Sequence, residues 1–223
     1  MSAADRKIFS RPHAAFLFDM DGTLLNSIAV VERVWGAWAE RHGLEPEVFL
    51  KTVHGVRAVD TIRNLALPGV DAEKEADDLL QEEMEDVEGI IPIPGALDFL
   101  AALPEDRWAI VTSAPRDLAH RRMIAAGIPF PKVMVTGEDV SAGKPSPECY
   151  LLGAERLGVP ADQCVVFEDA VAGILAGEAA GAEVVVITTT HASAHDTPHF
   201  SMDSYEALPV GKTAEGLLTL SRR

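Results

Sequence analysis

Asp19 and Asp21 stand two residues apart at the end of a wholly apolar run, residues 14–18, and are followed by Gly22 and Thr23. Side chains on a strand alternate faces, so if strand geometry carries on through them the two carboxylates point the same way. Carboxylates are costly to bury bare, so the pair is read as holding a cation or doing chemistry. Gly22 lets the backbone turn sharply just beyond the strand. Taken alone, an acidic turn without chemistry is the bland alternative for such a motif.

Three later stretches offer partners. Thr112 and Ser113 close a second apolar run; a hydroxyl there can donate to a phosphoryl oxygen, with the adjacent amides adding donors, although taken alone a strand-end turn or helix cap is the favoured reading. Lys144 lies in Ala142-Gly143-Lys144-Pro145-Ser146-Pro147, where Pro145 restricts the backbone and Gly143 permits close approach. Taken alone this lysine reads as a solvated surface charge, but one fixed ammonium is what a dianionic phosphate needs inside an acidic protein. Val165-Val166-Phe167-Glu168-Asp169 repeats the opening arrangement, an apolar run ending in acids. Asp169 with Asp19 can form a hard-oxygen cage for Mg²⁺, and Glu168 can bind the metal or hold its waters. Asp169 as a helix N-cap is compatible with that role.

The elements that must position these residues read as follows. Strands are expected at 14–18, 108–111, 133–136, 164–167 and 183–188, with helices at 96–103, 118–126, from Ser146-Pro147-Glu148 onward, and at 171–180. Ser146 is the expected N-cap of the third of these helices. Such alternation gives an α/β fold, a Rossmann-like doubly wound parallel sheet with right-handed crossovers, which binds ligands at the carboxyl ends of its strands. The candidate residues fall at those ends. Between the first strand and the rest, apolar residues at helical spacing (Ile28, Val31, Val34, Trp35, Trp38) are followed by a short apolar piece at 48–53, a helix at 58–67 and an acidic helix at 71–88. The two tryptophans read as core. Residues 71–88 hold ten acids and one lysine, read as a solvated outer face pinned by Leu79, Leu80 and Met84. The inserted bundle reads as an all-helical cap over the site, with a hinge near Pro92 and Pro94-Gly95. The expected division is a core of residues 1–25 and 94–223 and a cap of 26–93. The C-terminal residues read as a short closing strand or helix and a tail.

The four motifs, in this order and at these strand ends, resemble those of the haloacid-dehalogenase superfamily of phosphotransferases, from Phe16 to about Thr190. The cap resembles that of the β-phosphoglucomutase-like subfamily. Within it, Val53-His54-Gly55-Val56-Arg57, Thr112-Ser113 with Arg116, and Phe167-Glu168-Asp169 look most like bacterial sugar and hexitol phosphatases and yeast glycerol-phosphate and 2-deoxyglucose-6-phosphate phosphatases. The resemblance implies Asp19 as nucleophile, Asp21 as acid and base, and Mg²⁺ held by Asp19, the Asp21 carbonyl and Asp169. Lys144, Thr112 and the amides around Met20 and Ser113 would bind the phosphoryl oxygens. His54 and Arg57 are the cap candidates for substrate, with local pairing of Arg57 an open alternative. A phosphomutase of the same subfamily shares every motif and differs in rephosphorylating its intermediate, and a non-catalytic relative would need none of these residues. A dehalogenase has no use for the Asp21 acid, and a phosphonate hydrolase usually has a small residue there.

Composition narrows the classes. At 223 residues the chain can hold one α/β domain and a small insertion. A net charge of −16 argues against nucleic-acid binding and means that an anionic ester needs local positive charge. Cys149 and Cys164 are isolated, as expected of reduced thiols in a cytoplasmic protein. The first residues do not read as a signal peptide, and no apolar run approaches membrane-spanning length. A monomer is the default, with other states left open. His191, His195 and His199 recur every fourth residue, a metal spacing on a helix, but Ser193, Asp196, Thr197 and Pro198 favour a loop.

Overall fold

The computed structural model describes residues 7–190, 197–206 and 208–221. Its centre is a six-stranded sheet in which β1 (Ala15–Phe18) pairs with β4 (Trp108–Val111) on one side and β6 (Cys164–Glu168) on the other. β5 (Val133–Val135) extends the sheet beyond β4, and β7 (Glu183–Ile187) and β8 (Phe200–Met202) extend it beyond β6, every pairing being parallel. Strands buried on both faces read as near-continuous apolar runs; β1 and β4 are apolar throughout, and β6 is apolar up to its last residue, Glu168. Alternation sorts β1 between two cores. Phe16 and Phe18 pack with Phe99, Phe167 and Tyr205 on one face, while Ala15 and Leu17 face Tyr150, Ala154 and Ile174 on the other.

Helices cover both faces. α5 (Ala96–Ala101) and α6 (Arg116–Ala126) lie on the first, α7 (Glu148–Arg156) and α8 (Val171–Ala179) on the second. α7 opens at Glu148, so Ser146 sits just before the helix. Its hydroxyl still accepts a bond from the Glu148 amide at 3.3 Å.

Between β1 and β4 the chain forms α1 (Ile28–Arg41), α2 (Pro46–Phe49), a 3₁₀ turn (Leu50–Thr52), α3 (Ala58–Leu65) and α4 (Ala72–Glu85), the expected helical insertion. Asp71 caps α4 by accepting bonds from the Glu73 and Lys74 amides, both at 3.1 Å. The insertion leaves and re-enters the core through two adjacent strands, β2 (Leu25–Asn26) and β3 (Ile91–Pro92), paired antiparallel. Sequence patterning does not reveal this ribbon, because two-residue strands carry no periodicity. The C-terminal stretch, expected to hold one closing element, holds three: β8 completes the sheet, and β9 (Val210–Lys212) and β10 (Leu218–Leu220) form a hairpin. That hairpin ties down the N-terminal segment through reciprocal His13 and Leu218 backbone bonds of 2.8 Å. Cys149 and Cys164 are both free and buried. No helix among the described residues is long and apolar enough to cross a membrane.

Candidate active site

β1 ends at Phe18, but the Asp19 amide still donates to the Phe167 carbonyl at 2.9 Å. Beyond it the chain winds around a single acceptor: the Met20 carbonyl takes the amides of Thr23, Leu24 and Leu25 at 3.3, 2.9 and 3.1 Å. Strand geometry therefore does not run through the motif. The turn itself brings both Asp19 and Asp21 to the lining of one cavity, while the Met20 side chain is fully buried in the core. Gly22 adopts φ +84°, and a Cβ there would lie 2.0 Å from Asp169 Oδ2. Glycine is thus required twice, for the backbone angle and for the close approach to Asp169. Behind the turn the buried Tyr205 hydroxyl donates to the Thr23 carbonyl at 3.1 Å.

Behind Asp19, which lines the cavity, lies a buried charge cluster. Lys144 Nζ donates to Asp19 Oδ1 at 2.6 Å, to Glu168 Oε1 at 2.7 Å and to the Val111 carbonyl at 3.2 Å. The loop that carries it has a cis Lys144–Pro145 bond. Asp169 accepts from the Thr23 hydroxyl at 3.2 Å. Glu168 is held from four directions: Oε1 takes Lys144 and the Tyr150 hydroxyl (2.9 Å), and Oε2 takes the Asp169 and Ala170 amides at 2.9 and 3.0 Å. α8 reaches this carboxylate because position 173 is glycine; a Cβ there would sit 1.6 Å from Glu168 Oε1.

Carboxylate oxygens of Asp19, Glu168 and Asp169 all lie within 4.8 Å of one another. Three buried carboxylates against one ammonium leave an excess of negative charge, and burial pushes the Asp19 carboxyl well above the usual range. Lys144 pulls it back, while Glu168 and Asp169 push it further up. Burial alone would lower the Lys144 ammonium, but Asp19 and Glu168 outweigh it and hold it above the ordinary lysine value. An oxygen-only, anionic donor set of this kind fits a hard divalent cation such as Mg²⁺. Both Glu168 oxygens are engaged by protein donors, while Asp19 accepts from Lys144, and Asp169 from Thr23, through Oδ1.

The remaining candidates divide. Thr112 follows β4 directly, is buried, and accepts the Ala114 amide at 3.1 Å, which leaves its own hydroxyl hydrogen for another acceptor. Ser113 donates to the Gly55 carbonyl at 2.9 Å and so joins core to cap. His54 lines the cavity beside Thr112 and Ser113. Arg57 does not line it. Its guanidinium pairs with Asp60 at 2.6 Å and donates to the carbonyls of Gly137, Val140 and Ser141 at 3.4, 3.1 and 3.2 Å. Of the alternatives open for Arg57, the geometry favours local pairing, as a latch between cap and core. His191 and His195 lie outside the described residues, and His199 contacts Glu178 at 2.6 Å.

Three residues on the opposite wall carry no sequence expectation of function. Arg122, from α6, pairs with Asp21 Oδ1 at 3.0 Å and with Glu83 Oε1 at 2.7 Å. Glu83 comes from α4 of the cap and also accepts the Trp35 indole N–H at 3.2 Å. Burial raises the Glu83 carboxyl, with Arg122 acting against it. Ser27 completes the setting of Asp21, donating to Oδ1 at 2.6 Å. A signal did exist: Leu79 and Glu83 are four apart, as are Leu118 and Arg122, so each charge sits on the buried stripe of its helix. Trp35, expected in the core, is there and lines the cavity as well.

Comparison with known proteins agrees with this geometry. Hexitol phosphatase A of Escherichia coli is 42% identical over 210 residues, covering 90% of this chain and 95% of that protein. Glycerol-1-phosphate phosphohydrolase 2 of Saccharomyces cerevisiae is 38% identical over 188 residues, 79% of this chain and 75% of that one. A solved hydrolase from Pseudomonas syringae superposes with a TM-score of 0.76 at 26% identity, covering 86% of this chain and 94% of the other. The haloacid dehalogenase-like hydrolase family model matches residues 13–181. The chain therefore belongs to the haloacid dehalogenase-like hydrolases.

Proposed function

We propose that this enzyme hydrolyses the phosphate monoester of a small sugar or polyol through a covalent aspartyl-phosphate. The reading divides the chain into a core of residues 1–25 and 94–223 and a cap of residues 26–93, acting as a monomer in the cytoplasm on a small molecule. Asp19 Oδ attacks phosphorus in line with the ester oxygen; the new O–P bond forms as the ester P–O bond breaks. Asp21, held by Ser27 and Arg122 on the cavity side, gives its proton to the departing alkoxide. It then takes a proton from the water that attacks the phosphorus of the intermediate, releasing inorganic phosphate and restoring Asp19. Lys144, the Thr112 hydroxyl and amides near Met20 and Ser113 hold the equatorial oxygens. Mg²⁺ bound by Asp19, the Asp21 carbonyl and Asp169, with Glu168 as a further candidate ligand, would neutralise charge between nucleophile and phosphate. The cap keeps bulk water from the site.

One observation carries most of this reading: Lys144 buried between Asp19 and Glu168, with Asp169 beside them, behind the cavity that Asp19 and Asp21 line. The named relatives support a sugar or polyol ester as the substrate class. A panel of sugar, polyol and nucleotide phosphates assayed with Mg²⁺, without any added bisphosphate, is the test. Release of inorganic phosphate that EDTA abolishes, and that Asp19→Asn loses while keeping its melting temperature, is the expected result. Continued turnover by Asp19→Asn would remove Asp19 as the nucleophile.

A further inference from the structure

The phosphoryl chemistry uses Arg122 only to hold Asp21, through one of its nitrogens, and leaves Glu83, paired with the same guanidinium, without a task. Both are almost fully buried and both line the cavity. A strut between cap and core does not require this pair, since apolar side chains of similar volume usually do as well or better than a buried ion pair. The bonding is also incomplete in an informative way. Both hydrogen bonds to Glu83 end on Oε1, and no donor among the described residues meets Oε2. Arg122 Nε is buried and has no hydrogen-bond partner. Trp35 and Arg122 fix the orientation of the Glu83 carboxylate, while Asp21 and Glu83 fix the guanidinium from two sides. What results is a rigid acceptor beside a rigid donor, one from the cap and one from the core.

Resting on the phosphatase reading above, we infer that Glu83 and Arg122 together recognise hydroxyl groups on the substrate's carbon chain and select polyol or sugar phosphates over unhydroxylated esters. Adjacent hydroxyls match the pair: one donates to Glu83 Oε2 and its neighbour accepts from Arg122. Glu83 belongs to the cap, so a hydroxylated substrate also bridges cap and core. A site built to hydrogen-bond a hydroxyl discriminates strongly against an analogue without it, because its own polar groups are then left unpaired.

The test compares kcat/KM for a hexitol phosphate and for n-hexyl phosphate, an ester of equal length with no hydroxyls, in the wild type and in Glu83→Gln. The amide oxygen of glutamine can still accept from Trp35 and Arg122, so its NH₂ replaces Oε2 and the acceptor is lost. The hexitol-to-hexyl ratio should fall by about tenfold to a hundredfold, the range for a hydrogen bond to a charged group. As a measurement independent of the variant's folding, a series of monodeoxyhexitol phosphates on the wild type should contain at least one analogue that loses about tenfold or more. A ratio unchanged within about twofold in Glu83→Gln, or a flat deoxy series, overturns the inference while wild-type turnover leaves the phosphatase reading standing. Failure of the wild type to cleave any ester with Mg²⁺ sinks that reading, and this inference with it.

Discussion

Around Asp19 the polar groups leave from a strand terminus or the loop after one. Asp19 follows β1, Thr112 follows β4, Glu168 ends β6, and Lys144 lies in the loop between β5 and α7. Across the cavity the groups leave from the buried faces of helices: Trp35 from α1, Glu83 from α4, and Arg122 from α6 of the core. The two sides also differ in how their charges are bound. Lys144 is enclosed by three acceptors and neutralises carboxylates that have no other escape. Arg122 is shared between Glu83 and Asp21, its Nε has no partner, and both hydrogen bonds to Glu83 end on Oε1. The Asp19 side is built to stabilise one fixed distribution of charge, the Glu83 side to meet a neutral, polar guest.

Breaking the Asp19 side should have the largest effect. Lys144→Met leaves Asp19 and Glu168 buried without their ammonium, and removing one partner of a buried pair typically costs about 3–5 kcal/mol. Measured without divalent cations, the melting temperature should drop by about 6–20 °C, taking about 2–4 °C per kcal/mol for a chain of this size. With Mg²⁺ present, kcat should fall by about 10²–10³-fold or more, the cost of losing one preorganised donor. Lys144→Arg should not restore it, because a planar guanidinium cannot reproduce a compact ammonium between two carboxylates. A variant that kept its kcat would show that the two sides do not divide the work as described.

This contrast explains what could be read from the chain beforehand. In a parallel sheet the strand ends are where ligands bind, so an apolar run followed by a polar residue is already a statement about location. The positions of Asp19, Thr112 and Asp169 were legible for that reason, together with the alternating elements that bring them together, whereas Lys144 stood out only by its Gly143 and Pro145 neighbours. The cap was legible as helices over the site, but α4 was read as an outer face and not as part of the cavity wall. A glutamate among the ten acids of residues 71–88 carries no local mark of its depth, and only its position four residues after Leu79 sets Glu83 apart. Arg57 shows how two readings of one residue can stay open in the sequence. Beside His54 and Gly55 it looks like a substrate contact, yet its reach across the boundary to three core carbonyls depends on a tertiary approach that no local pattern encodes.

Arg57→Ala sharpens the comparison with a middle-sized effect. It removes the Asp60 pair and three bonds to core carbonyls, so a stability loss of about 1–2 kcal/mol is expected, readable by urea titration. If the latch acts by holding the cap, KM should rise by the same factor for a sugar phosphate and for an activated aryl phosphate. A rise confined to the sugar ester would return Arg57 to the substrate-contacting role that the sequence motif implies, and would move the selective surface toward α3.

The smallest effect is expected one residue from Glu83. Glu82 is of the same type and on the same helix but turns outward, pairing with Arg41 at 2.8 Å, with 41% and 49% of the two side chains exposed. Exposed pairs of this kind contribute little, since solvent screens the attraction and two long side chains must be ordered to make it. Glu82→Gln should therefore change stability by less than about 0.5 kcal/mol, a melting shift under about 2 °C. The hexitol-to-hexyl ratio should stay within about twofold of the wild type. Paired with Glu83→Gln, it asks whether selectivity depends on the face of α4 or merely on the acidity of the cap. If the charge of the cap as a whole steered substrates, the two neighbours would have similar effects, and both would fade as ionic strength rises. A contact made inside the cavity instead separates them, and the separation persists at high salt.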